Sequence, residues 1–253
     1  MAAQEILAKS VLNKSGIYGI DYALNPYLGC MHGCKYCYAS FMRRFHKGGG
    51  RWGEFVDVKV NAPILLEKGL QTKIPGSVLI SSVTDPYQPV EKKFELTRKC
   101  LEVFAETGKE FEVSILTKSH LVLRDLDVLK KLARVDVGLT IATDDDKIRE
   151  IFEPHAPKIE ERINALEKLH SQKIGTYAFI GPMLPMNPNE LARMLEGKID
   201  FAYLDRMNYS WTISRVYEEK GFERYLEKKY FEETKKRLIE ELGKRGVKCI
   251  CLF

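Results

Sequence analysis

The chain has 253 residues, of which 45% are hydrophobic and 30% are charged. We predict one domain over residues 1–253, with an N-terminal extension over 1–20 and a C-terminal helix and strand over 215–253. The formal net charge of +5 is compatible with phosphate-bearing partners but does not require them. No apolar run is long enough to cross a bilayer and no signal-like stretch begins the chain, so we expect no membrane protein. Three clustered cysteines kept as thiols predict a reducing, cytoplasmic location.

Strand and helix patterns alternate along the chain. The predicted strands are 22–28, 56–60, 78–82, 111–116, 136–141, 176–180, 201–204 and 247–253. The first predicted helix begins after the N-cap Asn61. The others cover 93–107, 123–133, 158–171 and 215–243, the last with a break near Gly221.

Continuous apolar strands separated by helices predict a parallel sheet covered by helices. Doubly wound sheets and barrels share this pattern, and periodicity alone does not separate them. Each predicted strand ends in a polar or Gly/Pro-containing segment. In barrels, the carboxyl ends of the strands carry the chemistry, so we expect a site there.

Three cysteines lie in the loop after the first of these strands. Cys30, Cys34 and Cys37 have C-x3-C-x2-C spacing. This spacing is typical of a [4Fe–4S] cluster in which three cysteinates hold three irons and leave the fourth iron open. A ferredoxin run would supply a fourth cysteine nearby, and a four-cysteine zinc site a second pair; neither follows here.

Two alternatives stay open for this metal site. Cys249 and Cys251 share one face of the last strand, which we expect to be the core face, and could supply a fourth ligand. A zinc site completed by His32 or His46 is the other alternative.

Three segments together resemble the spore photoproduct lyase-like branch of the radical S-adenosylmethionine (SAM) superfamily. They are Asn-Pro-Tyr at 25–27, Cys-Tyr-Ala at 37–39 and Ser-Val-Thr-Asp-Pro-Tyr-Gln-Pro at 82–89. The resemblance covers nearly the whole chain and implies an α/β fold, a partial (β/α)6 TIM-type barrel that forms one radical SAM domain.

The resemblance also implies a function. The chain would be a radical SAM enzyme that uses a [4Fe–4S] cluster to cleave SAM reductively to a 5′-deoxyadenosyl radical, which abstracts hydrogen from a substrate. Nucleic acid or nucleotide is the leading substrate class, and a ferredoxin or flavodoxin would supply the electron. The alternative is an iron–sulfur electron-transfer or sensor protein that does not cleave SAM.

Residues at the strand ends are implied as SAM contacts. Asp85, with Ser82 and Thr84, occupies the place of the segment that binds the methionyl amine, and Lys118 could pair with the carboxylate. The remaining implied contacts are Tyr36 beside the adenine, and Thr140 and Thr143 at the ribose or carboxylate. Each has a structural alternative: a turn for Asp85, a solvated side chain for Lys118 and an ordinary β-branched strand residue for Thr140. Arg162 is expected to form a surface ion pair at least as readily as to bind a ligand.

One position departs from the lyase pattern. The lyase uses a cysteine as hydrogen-atom donor, and the matching residue here is Ser82, whose O–H bond is too strong for that role. Tyr38 matches the relay tyrosine of the lyase and is a catalytic candidate, or it packs against the cluster. The missing thiol argues against repair of spore photoproduct.

Overall fold

The structure is a computed structural model that describes residues 2–253; Met1, the first residue of the predicted extension, lies outside them. The chain divides into two compact units. The first comprises the residues up to Gly33 with Ala39–Val137, and the second Cys34–Tyr38 with Gly138–Phe253. The single domain predicted over 1–253 stays a prediction.

The first unit contains most of the strands. They are β1 (Ala2–Ile6), β2 (Leu12–Lys14), β3 (Tyr22–Leu24), β4 (Tyr27–Leu28), β5 (Phe55–Lys59), β6 (Ser77–Ile80) and β7 (Glu112–Thr117). In β8 (Arg134–Thr140) the chain passes from the first unit to the second. The helices of this unit are α1 (Ala62–Thr72), α2 (Glu91–Phe94), α3 (Leu96–Glu106) and α4 (Leu126–Leu129), with a 3-10 helix at His120–Asp125. A further 3-10 helix, Tyr38–Phe45, begins at Tyr38 of the second unit and continues in the first from Ala39.

The main sheet of the first unit has the order β2-β3-β6-β7. Strands β3, β6 and β7 are parallel and level, with Tyr22 opposite Val78 and Val78 opposite Val113. Their carboxyl ends therefore lie at one edge of the sheet, and the next residues of the chain emerge there. A smaller sheet has the order β1-β5-β4, with β1 parallel and β4 antiparallel to β5.

The second unit continues the alternation of helix and strand. Its elements are α5 (Asp146–Phe152), α6 (Ile159–Ser171), β9 (Gly175–Ile180), α7 (Pro188–Leu195), β10 (Phe201–Leu204), α8 (Ser214–Lys220), α9 (Lys228–Gly243) and β11 (Lys248–Cys251). The strand order is β8-β9-β10-β11, and β10 is parallel to both of its neighbours. The predicted α/β class with a parallel sheet is confirmed.

Several local predictions were wrong. The strand over 22–28 is interrupted between β3 and β4 by Asn25 and Pro26, because proline has no N–H for the ladder. Asn61 precedes α1 but does not cap it with its side chain, because its amide bonds to the backbone of Ala8. The helix over 123–133 is reduced to single turns. Cys251 is exposed, because β11 is an edge strand.

No helix within residues 2–253 combines the length and the apolar character that a membrane crossing requires.

Two glycines offer a matched test of the packing. A Cβ on Gly138 in β8 would lie 2.1 Å from Tyr177 Cε2, whereas a Cβ on Gly69 in α1 meets nothing within 4 Å. We expect Gly138→Ala to lower the free energy of unfolding by about 2 kcal/mol or more. Gly69→Ala should raise it by up to about 1 kcal/mol. Urea unfolding measures both, and equal effects would contradict this packing.

Candidate functional site

The cysteine segment of the first unit is fixed to its surroundings on both sides. Gly29 has φ +91°, and a Cβ there would lie 2.4 Å from the carbonyl oxygen of Phe55, so only glycine fits. The backbone N–H of Met31 donates to Gln88 Oε1 at 2.9 Å. Cys30, between these two anchors, is buried.

The segment after β6 binds the same part of the chain. Thr84 Oγ1 donates to the carbonyl of Gly29 at 2.5 Å, and Gln88 Nε2 donates to that carbonyl at 3.2 Å. The Asn25 amide donates to Ser82 Oγ at 3.1 Å and accepts from the Val83 N–H at 3.1 Å. The motifs at 25–27 and 82–89 are therefore joined in space.

Asp85 is the centre of this arrangement. Its Oδ1 accepts from the Tyr87 N–H at 2.9 Å and from Thr117 Oγ1 at 2.6 Å. Its Oδ2 accepts from the Lys118 N–H at 2.8 Å and lies 3.3 Å from His32 Nε2. Burial alone would raise the pKa of Asp85. The charge of the neighbouring His32, followed by the hydrogen bonds from Thr117 and the Lys118 backbone, lowers the pKa to about 2.

In the second unit, the loop with Cys34 and Cys37 is attached to the end of α5. The Cys37 N–H donates to the Cys34 carbonyl at 3.2 Å, and the Lys35 N–H donates to the Phe152 carbonyl at 2.9 Å. The hydroxyl of Tyr36 donates to the Glu153 carboxylate. Burial, followed by the negative charge of Glu153, raises the pKa of Tyr36 well above its usual range, so the phenol keeps its proton.

Glu153 is in turn paired with Arg162. The Arg162 Nη2 lies 2.5 Å from Glu153 Oε2, and both side chains are buried. Arg162 Nη1 donates to the Thr140 carbonyl at the end of β8 at 2.9 Å, and Nε and Nη2 donate to the Pro157 carbonyl. The predicted surface ion pair was therefore wrong, because Arg162 lies on the inward face of α6.

The other predicted residues divide between the two units. Ser82, Thr84 and Lys118 are half-buried in the first unit, whereas Thr140 is buried in the second. Thr143 Oγ1 donates to the Pro185 carbonyl at 2.7 Å. Tyr38 begins a 3-10 helix and is 49% exposed. The assignments of these residues as SAM contacts or catalytic groups stay predictions.

Sequence reasoning missed three residues that hold the site together, namely Gln88, Glu153 and the inward-facing Arg162. The only sequence feature that points to a role for Gln88 is its place in the motif at 82–89. Glu153 follows the last residue of α5 and belongs to no periodic pattern, so its pairing with Tyr36 depends on the tertiary structure.

The cysteine thiols are donors of the kind that a [4Fe–4S] cluster uses. Within residues 2–253, no three His, Cys, Asp or Glu side chains are arranged around one metal position. Thiols that hold a [4Fe–4S] cluster do not converge on one point, because each cysteinate binds an iron of its own. His32 and His46 both have carboxylate partners, Asp85 at 3.3 Å and Asp57 at 2.8 Å.

The C-terminal cysteines are poorly suited to supply a fourth ligand. Burial, followed by the charge of Cys251, raises the pKa of Cys249 to about 11, which disfavours the thiolate that an iron needs. Cys251 itself is exposed on the edge strand. The three cysteines at 30, 34 and 37 therefore remain the better donor set.

Comparison with known proteins agrees with this geometry. The family model of the Radical SAM superfamily matches residues 24–196. An uncharacterised protein of Methanocaldococcus jannaschii is 44% identical over 181 residues, which are 72% of this chain and 67% of that protein. A radical SAM Nalpha-GlyT isomerase of Pseudomonas phage M6 is 26% identical over 162 residues, which are 63% of this chain and 32% of that enzyme.

A solved structure is similar over nearly the whole chain. It is a mutant spore photoproduct lyase with bound AdoMet and dinucleoside spore photoproduct, with a TM-score of 0.72 and 17% identity. The match covers 98% of this chain and 81% of that one. The likeness confirms the predicted fold, a partial TIM-type barrel with a parallel sheet.

The low pKa of Asp85 predicts how its contribution to stability depends on pH. A lowered carboxyl pKa stabilises the fold above the unfolded-state value of 3.8, and that contribution is lost as the pH falls to about 2. At pH 6, Asp85→Asn should therefore lower the free energy of unfolding of the cluster-free chain. This deficit relative to the wild type should shrink by roughly 2 kcal/mol when the pH is lowered to 2. Urea unfolding across this range measures the deficit, and a deficit independent of pH would contradict the assignment.

The buried pair of Glu153 and Arg162 predicts an asymmetric response to mutation. Glu153→Gln leaves the Arg162 guanidinium buried without its counter-charge and should cost about 3–5 kcal/mol of unfolding free energy. Tyr36→Phe removes one hydrogen bond and should cost about 1 kcal/mol. Glu160→Gln, on the exposed face of α6, is the matched control and should change little. A Glu153→Gln variant as stable as this control would contradict the buried pair.

Proposed function

Because the chain belongs to the radical SAM superfamily, we propose that it holds its [4Fe–4S] cluster through Cys30, Cys34 and Cys37. The observation that carries this proposal is the attachment of the cysteine loop at two points, from the Met31 N–H to the Gln88 side chain and from the Lys35 N–H to the Phe152 carbonyl at the end of α5. Anchored thiols need little rearrangement when they bind the irons, which lowers the entropic cost of assembling the site.

The protein is a radical SAM enzyme, and its cofactors are the cluster and SAM. When bound and reduced, they supply a 5′-deoxyadenosyl radical that abstracts hydrogen from a substrate carbon. The electron comes from a one-electron reductant, for which we propose a ferredoxin or a flavodoxin.

The chain itself binds and orients SAM. We propose that Thr84, Lys118 and the Asp85 carboxylate form the methionyl side of the site. The backbone N–H of Lys118 is used by Asp85, so its ammonium group is the part that would pair with a carboxylate. The three hydrogen bonds that Asp85 accepts, from Tyr87, Thr117 and Lys118, fix the direction of its carboxylate, which is the kind of rigid support that an oriented ligand requires.

Tyr36 and Thr140 are the contacts that we propose from the second unit. The hydrogen bond from Tyr36 to Glu153 fixes the plane of the ring, which is proposed to lie beside the adenine. Arg162 binds the carbonyl of Thr140, so one buried guanidinium connects both residues. Rigid placement of SAM matters here because a primary alkyl radical reacts with whatever C–H bond is nearest.

The reaction after hydrogen abstraction differs from that of the lyase in our proposal. Ser82 stands where the lyase has its cysteine donor, and the Ser82 oxygen accepts a hydrogen bond from Asn25. A serine hydroxyl holds its hydrogen too strongly to replace a thiol. Tyr38 is the remaining candidate for a hydrogen relay, because it directly follows Cys37 and is 49% exposed.

We propose nucleic acid or a nucleotide as the substrate class. The support is the likeness to a lyase structure that holds a dinucleoside, together with the net charge of +5. An electron carrier that does not cleave SAM is the second candidate, and the polar residues at the strand ends weigh against it, because a simple carrier needs no such site. The cytoplasmic location stays a prediction.

Replacing single cysteines tests the proposed ligands. Cys30→Ala, Cys34→Ala and Cys37→Ala should each reduce the iron and acid-labile sulfide taken up on anaerobic reconstitution and abolish formation of 5′-deoxyadenosine from SAM, because each removes the only protein ligand of one iron. Cys251→Ser, at an exposed position, is the control and should retain both. Full iron uptake in any of the three alanine variants would overturn the ligand set.

A further inference from the structure

A surface segment follows the cysteine segment, and neither the cluster nor SAM accounts for it. It comprises the last five residues of the 3-10 helix Tyr38–Phe45 and the six residues after that helix. This basic loop, residues 41–51, carries alternating aromatic and basic side chains that are exposed, namely Phe41, Arg43, Arg44, Phe45, Lys47 and Arg51. No Asp or Glu occurs anywhere in residues 22–53, although the chain has 35 acidic residues in all. The basic loop therefore carries positive charge and contains no acidic residue.

The aromatic rings of the basic loop are unusually open to solvent. Phe41 is 46% and Phe45 is 55% exposed. The guanidinium of Arg44 lies 5.3 Å from the Phe41 ring centre and 4.7 Å from that of Phe45. Two exposed phenylalanines held beside a guanidinium form a stacking surface, because rings and cations of this kind both attract flat π systems.

The basic loop is held on a fixed base rather than being a free tail. His46 Nδ1 lies 2.8 Å from Asp57 Oδ1, and its ring stacks on Phe55 at 4.0 Å between centroids and 10° between planes. Beyond the loop, Gly53 has φ +98°, and a Cβ there would lie 2.9 Å from Gly33 Cα. The loop is thus packed against β5 through His46, and Gly53, two residues after the loop, lies against the cysteine segment.

We propose that the basic loop is a docking surface for single-stranded nucleic acid. The four basic side chains would bind backbone phosphates, and Phe41 and Phe45 would stack with unpaired bases. A duplex keeps its bases stacked on one another and offers no free faces, which favours a single strand. This inference rests on the proposed function, since it assigns the place where a nucleic-acid substrate docks.

The test measures binding of a fluorescent oligothymidylate of about ten nucleotides to the reconstituted protein by anisotropy, at several salt concentrations. Arg43→Glu/Arg44→Glu should weaken binding at least about tenfold and flatten the salt dependence, because two phosphate contacts are lost. Phe41→Ala/Phe45→Ala should weaken binding about tenfold with the salt dependence unchanged, because stacking carries no charge. Lys68→Glu/Lys92→Glu, at exposed positions of the same unit, is the matched control of equal charge change.

The outcomes separate this inference from the proposed function. Equal binding by the wild type, both loop variants and the control overturns the docking surface, even if SAM is cleaved. Loss of binding in the loop variants alone supports it, whether or not the oligonucleotide is the substrate. Tighter binding of a double-stranded than of a single-stranded oligonucleotide overturns the single-strand assignment. The assignment is also overturned if an acidic peptide displaces the fluorescent oligothymidylate and an unlabelled oligonucleotide does not.

Discussion

One buried carboxylate, Asp85, connects the cysteine segment to the carboxyl ends of the parallel strands. Its oxygens accept from the backbone N–H groups of Tyr87 and Lys118 and from the Thr117 hydroxyl, and one lies 3.3 Å from His32. A buried charge is costly unless its bonds are satisfied, and here three hydrogen-bond donors and the nearby His32 ring offset that cost. Since His32 belongs to the cysteine segment of the first unit and Thr117 ends β7, this segment is fixed relative to the strand ends of that unit.

The second unit uses the same principle with charges of both signs. Glu153 and Arg162 are fully buried, and together they bond to the Tyr36 hydroxyl, the Thr140 carbonyl and the Pro157 carbonyl. Replacing such a pair by apolar residues is often neutral for stability, so stability alone does not account for it. We infer that its value is geometric, because it fixes the middle of the cysteine loop against the end of a strand.

Much of this arrangement could be predicted from sequence, and the limits have physical reasons. The thiol spacing and the strand patterns are local, so the cysteine loop and the α/β class were accessible. Glu153 and Arg162 meet only after folding, so the sequence near Arg162 suggested a surface ion pair with its neighbours instead. Gln88 likewise acquires its role from Met31, far away along the chain. The helix over 123–133 failed because periodicity does not distinguish consecutive single turns from a continuous helix.

The electron paramagnetic resonance spectrum of the anaerobically reconstituted, reduced protein, recorded with and without SAM, tests the central claim most directly. If the three cysteines leave one iron open to SAM at the strand ends, a [4Fe–4S] signal should be present and should change when SAM is added. A cluster signal identical in both samples would contradict this account and support an electron carrier. A protein that takes up zinc and no iron would contradict both.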